Sequence, residues 1–250
     1  MGERREDMLP EYSSSVCVVL VRPETEGNIG AVARSILNFG ISDLRIVGRA
    51  GEWSQDARNR AKNAQVVLDE CAHFETLEEA VADCSIVVGT SGKREDGDKT
   101  SMRHFLLPDE LPDRLSGVDG RVAFVFGPEG KGLMNEQLVQ CDLLVTIPTW
   151  EGYPILNLSH AVAIICYSWR VYFSSNAPSG SGGRLLDPNL RRQLRSEISD
   201  LVRLLPTKEH KRQGIEETLN RVIMRGLPKD DEIHRIIGVI SMSKKSFSED

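Results

Sequence analysis

Short apolar runs alternate with stretches of helical periodicity along the first 173 residues. Residues 16–22 (VCVVLVR) form a β-branched run that stops at Pro23, which predicts a buried strand. In residues 29–39, Ile29, Val32, Ala33, Ile36 and Leu37 recur at helical spacing, with Asn28 where an N-cap belongs and Gly40 where a C-cap belongs. Further strands are predicted at 44–47, 85–89, 121–126 and 143–147, and helices at 53–71, 76–84, 135–141 and 158–173. Thr76 and Glu79 occupy the two positions of a capping box.

The strands are continuous apolar runs rather than alternating ones. Such strands are covered on both faces, so the pattern predicts an α/β fold with a parallel sheet between layers of helices. Residues 174–183 (SSNAPSGSGG) have linker composition, and 187–204, 208–225 and 231–242 have the pattern of charged amphipathic helices. The chain is thus expected to divide into an α/β domain (1–173), a flexible linker (174–186) and a helical C-terminal extension (187–250). No internal repeat interrupts this plan.

Composition narrows the class. No apolar run approaches the roughly 20 residues of a membrane helix, and the polar start MGERREDMLPEYSSS lacks a signal peptide's apolar stretch, so a cytoplasmic protein is expected. The five cysteines are scattered without a C-x-x-C pair and the five histidines without a ligand spacing, so neither a disulfide framework nor a metal is expected. Net charge is −6, but residues 184–250 carry 14 Lys+Arg against 11 Asp+Glu, leaving a tail of +3 on a body of −9. A basic tail on an acidic body suits a polyanion, and a solvated helical face explains it almost as well.

Ligands of open parallel sheets bind beyond the carboxyl ends of the strands, so the loops that follow strands are the candidate sites. The first, RPETEGNIGAVAR (22–34), offers Gly27, Asn28 and Gly30 at a helix start suited to a phosphate, and places Arg34 among small apolar residues. An N-cap and a salt-bridged arginine explain that segment taken alone. The second, FGPEGKGL (126–133), is a glycine turn after a buried strand. It is neither a Walker A loop, because Leu133 and Met134 follow Gly132, nor a dinucleotide fingerprint, because position 135 is Asn. Glu129 discourages phosphate and favours a cationic ligand or one rich in donors. The third, IPTWEGYPILNLSH (147–160), is stiffened by Pro148 and Pro154 and brings Asn157 and Ser159 to the start of an apolar helix, where simple capping is the plain alternative.

Taken together, Asn28-x-Gly30-x-x-x-Arg34, then Phe126-Gly127-Pro128-Glu129-Gly130-x-Gly132-Leu133, then Ile147-Pro148 with Leu156-Asn157-Leu158-Ser159 resemble the three motifs of SPOUT RNA ribose 2′-O-methyltransferases, in order and over about residues 16–173. The segments RPETEGNIGAVARSILNFG and IPT-x-x-x-YPILNLSHAV are most similar to the TrmJ branch, which methylates tRNA at anticodon-loop position 32. The resemblance implies a parallel sheet whose C-terminal part threads a deep trefoil knot, a feature that periodicity alone never suggests. It implies S-adenosyl-L-methionine as cofactor, held near Thr90, Ser91, Gly92, Gly127, Glu129, Gly130, Ile147, Pro154, Ile155 and Leu156. It implies tRNA as substrate, with cytidine or uridine as the target base. It also implies a homodimer whose RNA sites draw on both subunits, with helix 158–173 and its aromatic residues as a candidate interface. Arg34 and Asn28 take the catalytic roles, with Glu129, Asn157 and Ser159 shaping the pocket. Arg34 acts either as a base of depressed pKa or as a cation that orients a phosphate and steadies the forming alkoxide. The tail cations Arg191, Arg192, Arg195, Arg203, Lys208, Lys211 and Arg212 suit tRNA phosphates, or equally a subunit contact. Three other readings compete: methylation of another tRNA or rRNA site, a knotted RNA-binding protein without turnover, and a phosphosugar-binding enzyme on an ordinary doubly wound sheet.

Overall fold

The structure is a computed structural model that describes residues 8–92, 105–175, 184–185 and 187–248. Its strands are β1 (Val16–Val21), β2 (Leu44–Val47), β3 (Ala72–Phe74), β4 (Cys84–Thr90), β5 (Phe105–Leu106), β6 (Val118–Asp119), β7 (Arg121–Phe126), β8 (Leu143–Val145) and β9 (Arg184–Leu185). Its helices are α1 (Glu26–Asn38), α2 (Gln55–Ala61), α3 (Gln65–Asp69), α4 (Leu77–Ala80), α5 (Glu110–Leu115), α6 (Asn135–Leu138), α7 (Leu158–Ser175), α8 (Pro188–Leu204), α9 (Glu209–Arg225) and α10 (Asp230–Ser248). Among the described residues, seven strands form one parallel sheet in the order β3-β2-β1-β7-β4-β8-β5, and β6 pairs with β9.

Strand geometry explains why the runs are apolar throughout. Successive side chains point to opposite faces, so Val16, Val18 and Leu20 enter one core cluster and Cys17, Val19 and Val21 the other. Likewise Phe124 and Phe126 on β7 face the first cluster, while Ala123 and Val125 face the second. A strand buried on both sides is apolar over most of its length, which is why the hydropathy pattern located β1, β4 and β7 to within a residue or so.

β7 lies between β1 and β4, and β8 lies beyond β4. This brings the chain ends of β1, β4, β7 and β8 together at one edge, though they come from distant parts of the sequence. At the opposite, amino end, Arg45 bridges Asp43 and Asp83, and Arg121 reaches the same two carboxylates. The hydrogen bond from Arg45 holds the Asp83 carboxyl at about 2, against the opposing effect of burial.

Several elements depart from the sequence expectation. The helix expected over 53–71 is broken into α2 and α3 around Lys62, whose φ is +53, and it is followed by β3. The capping box of Thr76 and Glu79 is present, but it opens only the single turn of α4, because Cys84 already belongs to the buried strand β4. β5, α5 and β6 carry too few residues for periodicity to reveal. Residues 174 and 175 complete α7, and the rest of the expected linker, apart from the β9 pair, lies outside the described residues. Trp169, one of the aromatic residues expected at a subunit contact on the 158–173 helix, belongs to the core: it is buried edge-on against Phe124 at 5.2 Å, while Tyr167 and Val171 of the same helix are exposed.

The C-terminal helices pack on this body. Asp187 caps α8, Pro188 follows at the first helical position, and Leu190, Leu194, Ile198 and Val202 enter the main core cluster. Arg191 and Arg195 both reach Asp142, at 2.8 Å each. The carboxylate of Asp142 is fully buried at the start of β8 and also accepts from the backbone N–H of Val87 at 2.8 Å. Burial alone raises its pKa, but the two guanidinium groups outweigh burial and hold it ionised. Arg203 and Arg212 pair with Asp200 and Glu209. The tail cations expected to meet RNA are thus largely committed to local or buried partners. Among the described residues Lys208 and Lys211 form no ion pair.

Candidate functional site

The three motif loops meet at the carboxyl edge of the sheet. Arg22 takes a left-handed conformation (φ +48) at the end of β1 and turns the chain toward α1, its N–H bonded to Val47 O. α1 starts at Glu26, with Thr25 rather than Asn28 at the cap, so Asn28 lies inside the first turn. Gly27 and Gly30 also lie within the helix, where they allow contact with α2: a Cβ on Gly30 would stand 2.0 Å from Ala57 O. The helix start expected to suit a phosphate is instead faced by a carboxylate. Glu129 accepts from the backbone N–H groups of Glu24 (2.8 Å) and Thr25 (3.2 Å).

Asn28 is freed from capping and becomes the centre of a relay. Its Nδ2 donates to Glu129 Oε1 at 2.7 Å, and its Oδ1 accepts from Asn157 Nδ2 at 3.0 Å. Asn157 Oδ1 in turn accepts from the backbone N–H of Ser159 at 2.9 Å and from its hydroxyl at 2.8 Å. One residue of the first loop, one of the second and two of the third are joined, with Asn28 and Ser159 buried and Asn157 at the surface. Burial works to raise the pKa of Glu129, but the Asn28 amide and the surrounding backbone N–H groups prevail and hold the carboxyl below its ordinary range. At neutral pH the relay therefore begins on a carboxylate.

Beside the relay lies a cavity of about 570 Å³, bounded by the ends of β4, β7 and β8 and by the loop into α7. Thr90, Ser91, Gly92, Gly127, Glu129, Gly130, Ile147, Pro154, Ile155 and Leu156, the residues expected around a cofactor, all line it. Gly127 is the tightest point, since a Cβ there would stand 2.1 Å from Gly132 C and 2.3 Å from Leu133 N. Gly130 and Gly132 have positive φ, which folds FGPEGKGL into a turn with its backbone at the cavity. Phe126, Ile147, Ile155 and Leu156 give apolar walls, and the lining carries two carboxylates, Glu129 and Glu151, and the cation Lys131, which pairs with Glu24 at 3.7 Å. Sequence reasoning missed Lys131, Thr149 and Glu151 as lining residues, although all three lie inside the loops it singled out.

Arg34 stands apart. It lies six residues beyond Asn28, which in a helix means roughly 9 Å along the axis and about two thirds of a turn around it. It is exposed and forms no ion pair or hydrogen bond among the described residues, so the salt bridge that would explain it as a structural residue is absent. Among the described residues there is no group of three or more side chains able to hold a metal, and no helix long and apolar enough to cross a membrane.

A parallel sheet with a glycine-turn cavity beyond its carboxyl ends defines an α/β enzyme of the open-sheet class. Comparison with known proteins makes the assignment particular: residues 15–167 match the SpoU rRNA Methylase family, and the chain belongs to that family of methyltransferases. It is 40% identical over 188 residues to the tRNA (cytidine-2′-O-)-methyltransferase TrmJ of Methanocaldococcus jannaschii, covering 75% of this chain and 78% of the relative. It is 39% identical over 158 residues to the tRNA (cytidine/uridine/adenosine-2′-O-)-methyltransferase TrmJ of Pseudomonas aeruginosa, covering 62% and 60%. The crystal structure of TrmJ from Z. mobilis ZM4 superposes with a TM-score of 0.73 at 26% identity, over 90% of this chain and 97% of that one.

Proposed function

We propose that the chain methylates the 2′-hydroxyl of a ribose in tRNA, using S-adenosyl-L-methionine, and that the target is cytidine or uridine at anticodon-loop position 32. Family membership and the tRNA 2′-O-methyltransferases among its relatives support the reaction. The observation that carries it is the Glu129–Asn28–Asn157–Ser159 relay standing at the edge of the cavity. The position within tRNA rests on the TrmJ-like wording of the first and third motifs.

The cavity fits the cofactor. Apolar walls suit a purine, the turn at 127–132 presents backbone to a ribose and an amino-acid moiety, and the carboxylates favour a cationic ligand. When bound, the cofactor supplies a methyl group on a positively charged sulfur. The rest falls to the protein. The protein would hold the ribose 2′-hydroxyl toward that methyl group, and the proton released on transfer would pass to solvent water. Asn28 is fixed on both sides of its amide and presents its second N–H to the substrate. A guanidinium stays protonated, so Arg34 serves to steady the charge developing on the 2′-oxygen or to hold the adjoining phosphate.

The isolated chain keeps Arg34 away from Asn28, which supports a homodimer in which the partner subunit's Arg34 completes each site. A tRNA-modifying enzyme of this kind acts in the cytoplasm. Residues 1–173 carry the site, and 187–250 brace it. Incubation with radiolabelled S-adenosylmethionine and unmodified tRNA transcripts, followed by nuclease mapping, tests the whole reading. Label on a single 2′-hydroxyl at position 32, lost in Arg34→Ala, is expected. Label at another nucleotide refutes the position alone, and cofactor binding with no label on any RNA refutes the reaction.

A further inference from the structure

We propose that Trp150 is a platform on which the base of the target nucleotide stacks at the cavity mouth, with Tyr153 beside it; the proposal rests on the RNA-methylating reading above. A ribose held at the relay brings its base to the cavity mouth, and in a single-stranded loop that base is free to be splayed out of the stack of its neighbours. Proteins hold such unstacked bases against aromatic side chains, whose faces accept any base. Trp150 is 79% exposed and Tyr153 78%, and neither packs against another aromatic ring among the described residues. Both belong to the loop that walls the cavity, where their chain neighbours Thr149, Glu151, Pro154 and Ile155 line it.

The indole is exposed but held. It rests on Gly152, where a Cβ would stand 2.5 Å from the six-membered ring. The loop beneath is braced by Tyr153 N–H to Trp150 O at 3.0 Å and by Thr149 Oγ1 to Pro154 O at 2.9 Å. A ring fixed before binding loses little freedom when a base settles on it. The cavity supplies a place for the methyl donor and the relay a place for the hydroxyl, and the remaining part of the nucleotide is the base.

The two other tryptophans, Trp53 and Trp169, are buried, so quenching of indole fluorescence by acrylamide reports on Trp150 in the full-length protein. We expect unmodified tRNA to shield this signal, and Trp150→Phe to abolish the change. Trp150→Ala should raise the KM for tRNA on the order of 10- to 100-fold, with cofactor affinity unchanged and Trp150→Phe largely restoring it. Gly152→Ala, which displaces the ring without removing it, should act in the same direction. An RNA abasic at the target nucleotide should bind wild type and Trp150→Ala alike. A wild-type KM in Trp150→Ala overturns the platform alone, provided the wild type methylates tRNA. Shielding without RNA that grows with protein concentration assigns the ring to a second copy and also overturns it. A wild type that methylates no tRNA removes the functional reading and the platform with it.

Discussion

Asn28 and Glu129 lie 101 residues apart in the sequence and meet at 2.7 Å, amide to carboxylate. The same carboxylate accepts from the two backbone N–H groups that precede α1. One side chain on the glycine turn therefore fixes both where the first helix begins and how its asparagine is presented.

Replacing Asn28 separates positioning from binding. Asn28→Asp places a second carboxylate against Glu129, and Asn28→Ala removes the buried centre of the relay, so that Glu129 and Asn157 lose their shared partner. Each should cost about 1–3 kcal/mol of stability and lower kcat on the order of 100-fold or more, with cofactor affinity within a few-fold of wild type. Single-turnover kinetics beside calorimetric titration of S-adenosylmethionine checks this. Loss of cofactor binding in step with kcat would make Asn28 a pocket residue only.

Arg34 offers a test of shared sites. Arg34→Ala should melt with the wild type, because the side chain is exposed and unpartnered among the described residues, yet it should be inactive. If each site takes Asn28 from one subunit and Arg34 from the other, co-refolding inactive Arg34→Ala with inactive Asn28→Ala should restore about a quarter of wild-type activity, since about half the dimers are mixed and each has one intact site. No recovery from the mixture would place both residues in one subunit's site.

Gly127→Ala brings a methyl group within 2.1 Å of Gly132 C, where only backbone can give way. The turn must open, and with it the cavity floor. We expect cofactor affinity to fall at least tenfold by calorimetry, with near-UV dichroism showing the fold intact. Unchanged affinity would mean that the turn does not shape the cofactor site.

Acid should act partly through Glu129. Its carboxyl titrates below its ordinary value in the folded protein, because the Asn28 amide and backbone N–H groups overcome the effect of burial. Its stabilisation is therefore present above the unfolded value of roughly 4.3 and is lost as pH falls through the folded value. Urea unfolding between about pH 6 and about pH 3 should show Glu129→Gln less stable than wild type at the upper end, with the difference shrinking toward the lower end. A constant difference across the range would argue against a charged Glu129 in the folded state.

The sequence exposed what burial dictates and concealed what contact decides. β1, β4 and β7 are covered on both faces, so most of their positions are apolar and their limits are plain. α8 was equally plain, because Asp187 and Pro188 mark its start and its apolar positions recur every turn. β3 and β5, of three and two residues, carry no periodicity; their pairing partners define them. The ten residues expected around the cofactor all line one cavity because they lie in loops whose strands end at the same edge. Asn28 looked like a cap because its local sequence suits one, and only Glu129, brought from the second motif, takes over that duty. The basic tail shows a similar limit: composition counts charges, and in the structure Asp142 engages two of them.

Asp142 also sets a limit on how this protein can be rebuilt. It immediately precedes β8, the strand that leads into the cavity wall and on to Trp150, and among the described residues its ion pairs both come from α8. Cutting the chain before residue 187 would take away both guanidinium partners of Asp142 together with the apolar residues of α8 that enter the main core cluster. The C-terminal helices are therefore not a detachable handle. Grafting them onto another methyltransferase, or trimming them away for crystallisation, would succeed only if position 142 were redesigned at the same time.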